Sequence, residues 1–253
     1  MIAPTAGAEL GFAQVLVVQH EDECPPHLLG DWLRGAGLDL DVRRPDLGDP
    51  LPVDLSGHDA LVVLGGSMGA YDDDDAPWLP VVRGLIERAA EEGVPTLGVC
   101  LGHQLIAVAL GGRVAVNPRG RLVGILPVGW RPDAAADPLL VAMPSLPSMA
   151  VQWNQDLVVG LPDGAVLLAA TAAGEVQAVR FADTVWGVQV HPEADHALAT
   201  RWAHSEPSPH AEAALADLSV HQGAVAAQWA GLGEAFATVV DASTAIDPGE
   251  QVS

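Results

Sequence analysis

A single cysteine stands where a thiol can become a nucleophile, between an apolar run at 96–99 and a helical pattern at 105–110. The order predicts a strand, a sharp turn at Cys100 and a helix. At a helix N-terminus the helix dipole and the free backbone N–H groups favour a thiolate. Taken alone, Cys100 is better explained as a buried core cysteine, because free cysteines are among the most buried residues.

A cysteine nucleophile needs a base, and the base needs a group that orients it. His191 and Glu193 follow an apolar run at 185–190 and flank Pro192. In a strand, residues i and i+2 point to the same side, so the two side chains can approach each other. Glu193 would then fix the imidazole tautomer and favour its protonated form. His191 would keep Cys100 as a thiolate and protonate a leaving amine.

Two adjacent glycines, Gly65 and Gly66, directly follow the apolar run at 60–64. Glycines at a strand end let the backbone approach a ligand closely. Their N–H groups could face an oxygen that becomes negative during acyl transfer, with the N–H of Leu101 as a second donor. The alternative is an ordinary strand-to-loop turn, which the glycines alone favour.

Together and in chain order, these three motifs are far more specific than any one of them. The second reads Gly-Val-Cys-Leu-Gly-His-Gln at 98–104 and the third reads Gly-Val-Gln-Val-His-Pro-Glu at 187–193. The sequence resembles the class I, triad-type glutamine amidotransferases over about residues 15–203. The stretch 65–72 and Trp78 make it most similar to stand-alone proteins related to the amidotransferase domain of GMP synthase.

The resemblance implies that Cys100 attacks the side-chain amide of glutamine, giving a γ-glutamyl thioester and ammonia. His191 would be the acid and base, Glu193 its orienting group, and the N–H groups of Gly66 and Leu101 the oxyanion hole. The implied substrate contacts are Gly65, Gln104, Trp153 and Asn154. Asn154 occupies a position where relatives often carry a histidine, followed by an acidic residue at 156. No metal and no organic cofactor are implied.

The elements that must position these groups alternate in type over the first 112 residues. Strands are predicted at 15–18, 38–42, 60–64 and 96–99, and helices at 26–33, 78–90 and 105–110. Alternating strands and helices predict a mostly parallel sheet flanked by helices, an α/β fold. Ligands bind at the carboxyl ends of strands in such sheets, where Gly65 and Cys100 lie.

The second half of the chain predicts antiparallel strands added to that sheet, followed by helices. Short apolar runs fall at 114–116, 123–128, 149–153, 166–170, 176–181 and 185–190, with one helical pattern near 134–142. Helices are predicted at 194–203 and at 211–240, with a break near 231–233. We therefore expect an amidotransferase-like domain at 12–205 and a helical extension at 206–253 packed on it, with a frayed tail from residue 241.

Composition excludes several classes of partner. The chain has 33 acidic against 11 basic residues, a formal net charge of -22. Phosphate binding needs basic patches, so neither nucleic acid nor an anionic membrane is an expected partner. The apolar run at 165–173 is too short to span a bilayer.

The cysteines and the start of the chain give no sign of an oxidising compartment. Residues 1–11 lack the features of a signal peptide, and two cysteines make neither a disulfide scaffold nor a metal motif. We therefore expect a cytoplasmic protein. Cys24, beside Pro25 and Pro26, is interpreted as an incidental loop or helix-start thiol.

Three functions remain open from the sequence. The chain could be a glutaminase that feeds ammonia to a separate synthetase, since it contains neither a synthetase domain nor a phosphate loop. It could instead hydrolyse γ-glutamyl peptides or amides through the same thioester. The third alternative is a catalytically silent binding protein, against which the intact Cys100, His191 and Glu193 weigh.

Overall fold

Eleven strands and six α-helices make up the fold in the computed structural model, which describes residues 12–143 and 145–245. The strands are β1 (Gln14–Val18), β2 (Asp39–Arg43), β3 (Ala60–Val63), β4 (Thr96–Val99), β5 (Arg113–Val116), β6 (Leu122–Pro127), β7 (Met149–Asn154), β8 (Asp156–Gly160), β9 (Val166–Ala170), β10 (Val176–Ala182) and β11 (Val185–Val188). The helices are α1 (His27–Gly35), α2 (Leu79–Glu92), α3 (Leu101–Ala109), α4 (His196–Ser205), α5 (Pro209–Trp229) and α6 (Gly231–Ala245).

The central sheet has seven strands in the order β2-β1-β3-β4-β11-β10-β9. The first five are parallel, and β10 and β9 pair antiparallel at one edge. This confirms the predicted mostly parallel sheet with added antiparallel strands. Because β4 and β11 are parallel neighbours, their carboxyl ends carry Cys100 and His191 to the same edge of the sheet.

Helices cover both faces of the sheet, which explains why its central strands read as continuous apolar runs. Helices α2 and α3 pack on one face around Leu16 and Val63. On the other face, α1 packs with α5 and α6 through Leu29, Trp229 and Phe236. Trp229 and Phe236 are fully buried, so the C-terminal helices share the core of the sheet.

Three segments differ from the sequence prediction. Helix α3 begins at Leu101, directly after the cysteine, rather than at 105. Strand β8 was not predicted, because only Gln155 separates it from β7 although the two strands pair with different partners. The helix predicted near 134–142 is wrong: two short 3-10 turns lie there, since Pro138 holds Asp137 in an extended conformation between them.

Helix α6 continues to Ala245, five residues into the segment expected to fray. The rest of that tail, and the N-terminal residues 1–11 in which no signal peptide was expected, lie outside the described residues. Across the ranges 12–143 and 145–245, no helix combines the length and the apolar character needed to cross a membrane.

Candidate active site

The turn between β4 and α3 holds Cys100 in a strained backbone conformation, with φ 50° and ψ -104°. Its N–H donates to Val188 O at 2.9 Å, which ties the turn to β11. Gly102, one residue into the helix, has no room for a side chain because a Cβ there would collide with Val63 O. The close fit of α3 on β3 therefore sustains a left-handed conformation that costs on the order of 1–3 kcal/mol at a non-glycine residue.

His191 and Glu193 form a buried pair beside this cysteine. The Nδ1 of His191 lies 2.7 Å from Glu193 Oε1, so Nδ1–H donates to the carboxylate. Burial opposes protonation of the ring, but the charges of Glu193 and Cys100 outweigh it and raise the pKa of His191 well above its ordinary value. The pair therefore favours the imidazolium form of His191 at neutral pH.

Replacing Glu193 by Gln should lower the pKa of His191, because it removes the larger of the two charges that stabilise the imidazolium. The alkaline limb of the pH dependence of kcat/KM then moves to lower pH, and its plateau falls by about 10²-fold as the ring loses its orienting group. Steady-state rates of Glu193→Gln and the wild type across pH measure both changes.

The matched control is Glu193→Asp, which shortens the side chain but keeps the negative charge. Its alkaline limb should stay nearer to that of the wild type. An unmoved alkaline limb in Glu193→Gln would contradict the role of this carboxylate.

Gln189 is a member of the site that the sequence reasoning missed. Its Nε2 donates to Cys100 Sγ at 3.5 Å, and its Oε1 accepts a hydrogen bond from Gln104 Nε2 at 3.2 Å. The signal was available, because Gln189 precedes His191 by two residues and so points to the same side of the strand. Gln104, expected to contact substrate, lines the cavity described below, and its amide N–H groups donate to Gln189 Oε1 and to Asp156 O at 3.0 Å.

The predicted oxyanion donors stand on either side of the cysteine. Within the described ranges, neither the N–H of Gly66 nor that of Leu101 donates a hydrogen bond to protein. A Cβ on Gly66 would lie 2.9 Å from the Leu101 side chain and 3.2 Å from His20 Cβ. Glycine therefore lets the backbone at residue 66 pack closely against the start of α3, next to Cys100 in the chain.

Gly65, expected as a substrate contact, does not line the cavity described below. A Cβ on this residue would lie 3.3 Å from His191 Cε1 and 3.7 Å from Cys100 Cβ. Gly65 therefore packs against the catalytic groups. Because it has no side chain, it leaves room for the His191 imidazole beside the turn at Cys100.

Cys24 lies in a loop before α1, as the sequence indicated, but it also reaches the catalytic centre. Its Sγ is 3.6 Å from the point where a Cβ of Gly65 would be. Burial and then the charge of Glu21 raise the pKa of the Cys24 thiol well above its usual range. Cys24 is therefore protonated at neutral pH and does not compete with Cys100 as a nucleophile.

A cavity of about 720 Å³ opens over Cys100 and His191. Trp202 packs against His191 with ring centroids 4.6 Å apart, and Trp153 packs against Trp202 at 5.6 Å, both in a tilted arrangement. Two buried polar atoms of the wall, Trp153 Nε1 and Asn154 Oδ1, have no hydrogen-bond partner among the described residues. Since buried polar groups are normally paired, this donor and this acceptor suit a polar ligand.

The rest of the cavity wall is strongly acidic. Five carboxylates line it, from Glu21, Glu23, Asp72, Asp156 and Glu206. Asp72 and Asp156 have no ion-pair partner in the described part of the chain, and burial, with the charge of Asp72, raises the pKa of Asp156. Within 12–143 and 145–245, Arg121 is the one arginine or lysine of the wall, and it pairs with Glu206.

The comparisons with known proteins agree with the motifs and with the geometry of the site. The family model "Glutamine amidotransferase class-I" matches residues 27–202, more than half of the 253 residues. A crystal structure of a glutamine amidotransferase from Methylobacillus flagellatus is 27% identical, with a TM-score of 0.77 over 92% of this chain and 95% of that chain. These matches confirm the resemblance and the fold class that the sequence motifs predicted.

Two curated relatives differ in their named activity. Gamma-glutamyl peptidase 5 of Arabidopsis thaliana is 30% identical over 141 residues, 55% of this chain and 55% of that protein. One glutamine-hydrolysing GMP synthase subunit, from Halobacterium salinarum, is 42% identical over 163 residues, 62% of this chain and 79% of that relative. The match therefore spans about half the length of the plant peptidase.

Proposed function

The chain belongs to the class I glutamine amidotransferase family, and we propose that it breaks the γ-amide bond of a γ-glutamyl compound through a thioester on Cys100. One observation carries the proposal: His191, paired with Glu193 at 2.7 Å, lies beside the strained Cys100 at the floor of the cavity. This supplies a nucleophile, a proton carrier and an orienting carboxylate in one place.

In the first half-reaction, the Cys100 thiolate attacks the carbonyl carbon of the γ-amide. The negative oxygen that forms is held by the N–H groups of Gly66 and Leu101, which have no other partner in the described chain. When the tetrahedral species collapses, the C–N bond breaks and His191 gives its proton to the departing amine. The γ-glutamyl group stays on sulfur as a thioester.

In the second half-reaction, water attacks the thioester carbonyl. His191, now neutral, takes a proton from that water while the same two N–H groups hold the oxyanion. The C–S bond then breaks, which releases glutamate and restores the Cys100 thiolate beside the His191 imidazolium.

The polar atoms of the cavity wall suit the α-amino acid end of a γ-glutamyl group. Asn154 Oδ1 and the Asp156 carboxylate are acceptors for its α-ammonium, and Trp153 Nε1 is a donor for its α-carboxylate. Asp156 was missing from the residues expected from the sequence. Its neighbour Asn154 was expected to contact substrate.

Two substrates fit this chemistry. One is glutamine, with the ammonia passed to a separate synthetase, as the similarity to one component of a GMP synthase suggests. The other is a larger γ-glutamyl amide or peptide, whose size the cavity accommodates. Its volume of about 720 Å³ lies in the range that holds drug-sized ligands, well beyond the needs of a single amino acid.

We expect the purified chain to release glutamate from γ-glutamyl amides larger than glutamine, because the cavity leaves space beyond the scissile bond. The test compares glutamine with γ-glutamyl amines and peptides, scored by free glutamate, with Cys100→Ala protein as the blank. Turnover of glutamine alone would favour the glutaminase. Absence of turnover together with absence of labelling by a glutamine-mimicking electrophile would contradict the proposed function and leave a silent binding protein.

A further inference from the structure

The acidic wall of the cavity is not explained by the γ-glutamyl group. That group carries one α-ammonium and one α-carboxylate, so it adds no net charge. Five carboxylates and one guanidinium line the cavity, and the His191 imidazolium is balanced by the Glu193 carboxylate. Negative charge therefore remains after the glutamyl group is bound, and it has to be matched by the other half of the substrate.

The position of His191 shows on which side that other half lies. The leaving amine has to be within reach of the imidazole that protonates it. The Trp202 ring packs against this imidazole in a tilted arrangement with centroids 4.6 Å apart, and its Nε1 donates to the main-chain O of Glu23 at 2.8 Å. Helix α4 carries Trp202 and ends next to Glu206. Trp202, Glu23 and Glu206 all line the cavity, so the departing amine leaves into a space whose wall includes this indole and two carboxylates.

Glu23 is only partly neutralised by protein, whereas Glu206 is paired with Arg121. Arg201 lies 2.7 Å from Asp22 but 3.7 Å from Glu23, so Glu23 receives the weaker share of that cation. Arg121 is bound by Glu206, so an anionic ligand would have to displace Glu206 to reach the guanidinium. This side of the cavity therefore disfavours a leaving group that ends in a carboxylate, such as an amino acid or a peptide.

We propose that the substrate is a γ-glutamyl amide of a diamine or polyamine, in which a second, protonated amino group lies between Trp202, Glu23 and Glu206. This inference rests on the proposed function, because it names the leaving amine of the same reaction. The alkyl chain contacts the part of Trp202 that lines the cavity. Its ammonium group is attracted by the indole ring and by Glu23, while Glu206 neutralises Arg121.

Three γ-glutamyl amides of matched length test the charge directly: those of diaminobutane, pentylamine and aminobutanoate. They place a cation, a methyl group and an anion at the far end of the leaving amine. The kcat/KM of the cationic amide should exceed that of the neutral one by about 10-fold or more, and the anionic amide should be the poorest. The preference should shrink as salt is added, because exposed charges are screened.

Glu23→Gln and Glu206→Gln identify the groups responsible. Each should reduce the ratio of kcat/KM for the cationic over the neutral amide by several-fold, about the effect of one partly exposed charge. Asp183→Asn is the matched control, since it removes a fully exposed carboxylate on the β10–β11 turn, away from the cavity. For Asp183→Asn, the ratio of kcat/KM for the cationic over the neutral amide should equal that of the wild type.

The outcomes separate this inference from the proposed function. Turnover of the neutral or anionic amide as fast as the cationic one overturns the inference but leaves the thioester chemistry standing. A cation preference that survives both glutamate substitutions also overturns it. If no γ-glutamyl compound is turned over and Cys100 takes up no γ-glutamyl group, both fall together.

Discussion

Cys100→Ala should reduce the release of glutamate from any γ-glutamyl substrate by at least about 10³-fold, because the thioester cannot form. The other cysteine cannot replace it. Cys24 lies on the other side of Gly65 from the turn at Cys100, and burial keeps its thiol protonated. The rate of glutamate release by the variant, measured at high enzyme concentration and compared with the wild-type rate, gives the size of the loss.

Cys24→Ala provides the matched control, since it removes the only other thiol of the sequence and likewise lies at the cavity wall. This variant should still turn over substrate, and both proteins should unfold at temperatures close to the wild type. Equal losses of activity in the two variants would contradict the assignment of Cys100 as the nucleophile.

His191→Gln should lower kcat/KM by about 10²–10⁴-fold, the usual contribution of a positioned acid and base. The size of the loss should depend on the leaving amine. An alkylamine departs only when protonated, whereas a nitroaniline departs with little help. The variant should therefore lose much more activity on a γ-glutamyl alkylamide than on the γ-glutamyl nitroanilide.

The ratio of the two losses separates proton transfer from a structural effect. His191 also packs against Trp202, so its removal can disturb the cavity. Such damage would lower the rates for both substrates by the same factor. Equal losses would mean that His191 does not act as the acid in the step that expels the amine.

The parts of the site that the sequence predicted are those encoded locally. A cysteine at a strand end, a glycine pair at a neighbouring strand end and a His-x-Glu pair each lie within a few residues. Parallel pairing of β3, β4 and β11 then brings their carboxyl ends together, as the alternating pattern implied. His103, the histidine of the motif at 98–104, does not line the cavity: its ring packs on Phe181, and burial lowers its pKa to about 3.

The missing parts depend on residues far apart in the chain. Asp72 and Asp156 come together only in the folded cavity, so the sequence did not show that they share one wall. Asp137 looked like a helical residue. In the structure it is buried and accepts hydrogen bonds from Trp186 Nε1 at 3.0 Å and Arg180 Nε at 3.1 Å. Contacts of this kind carry no local sequence signal.

The thioester itself can be measured directly. Wild-type protein is mixed with excess γ-glutamyl substrate, quenched in acid within the first turnovers, and digested for mass spectrometry. The peptide that contains Cys100 should gain the mass of one γ-glutamyl group, and hydroxylamine should remove it as the hydroxamate. Steady release of glutamate without any such adduct on Cys100, or with the adduct on Cys24 instead, would contradict the mechanism.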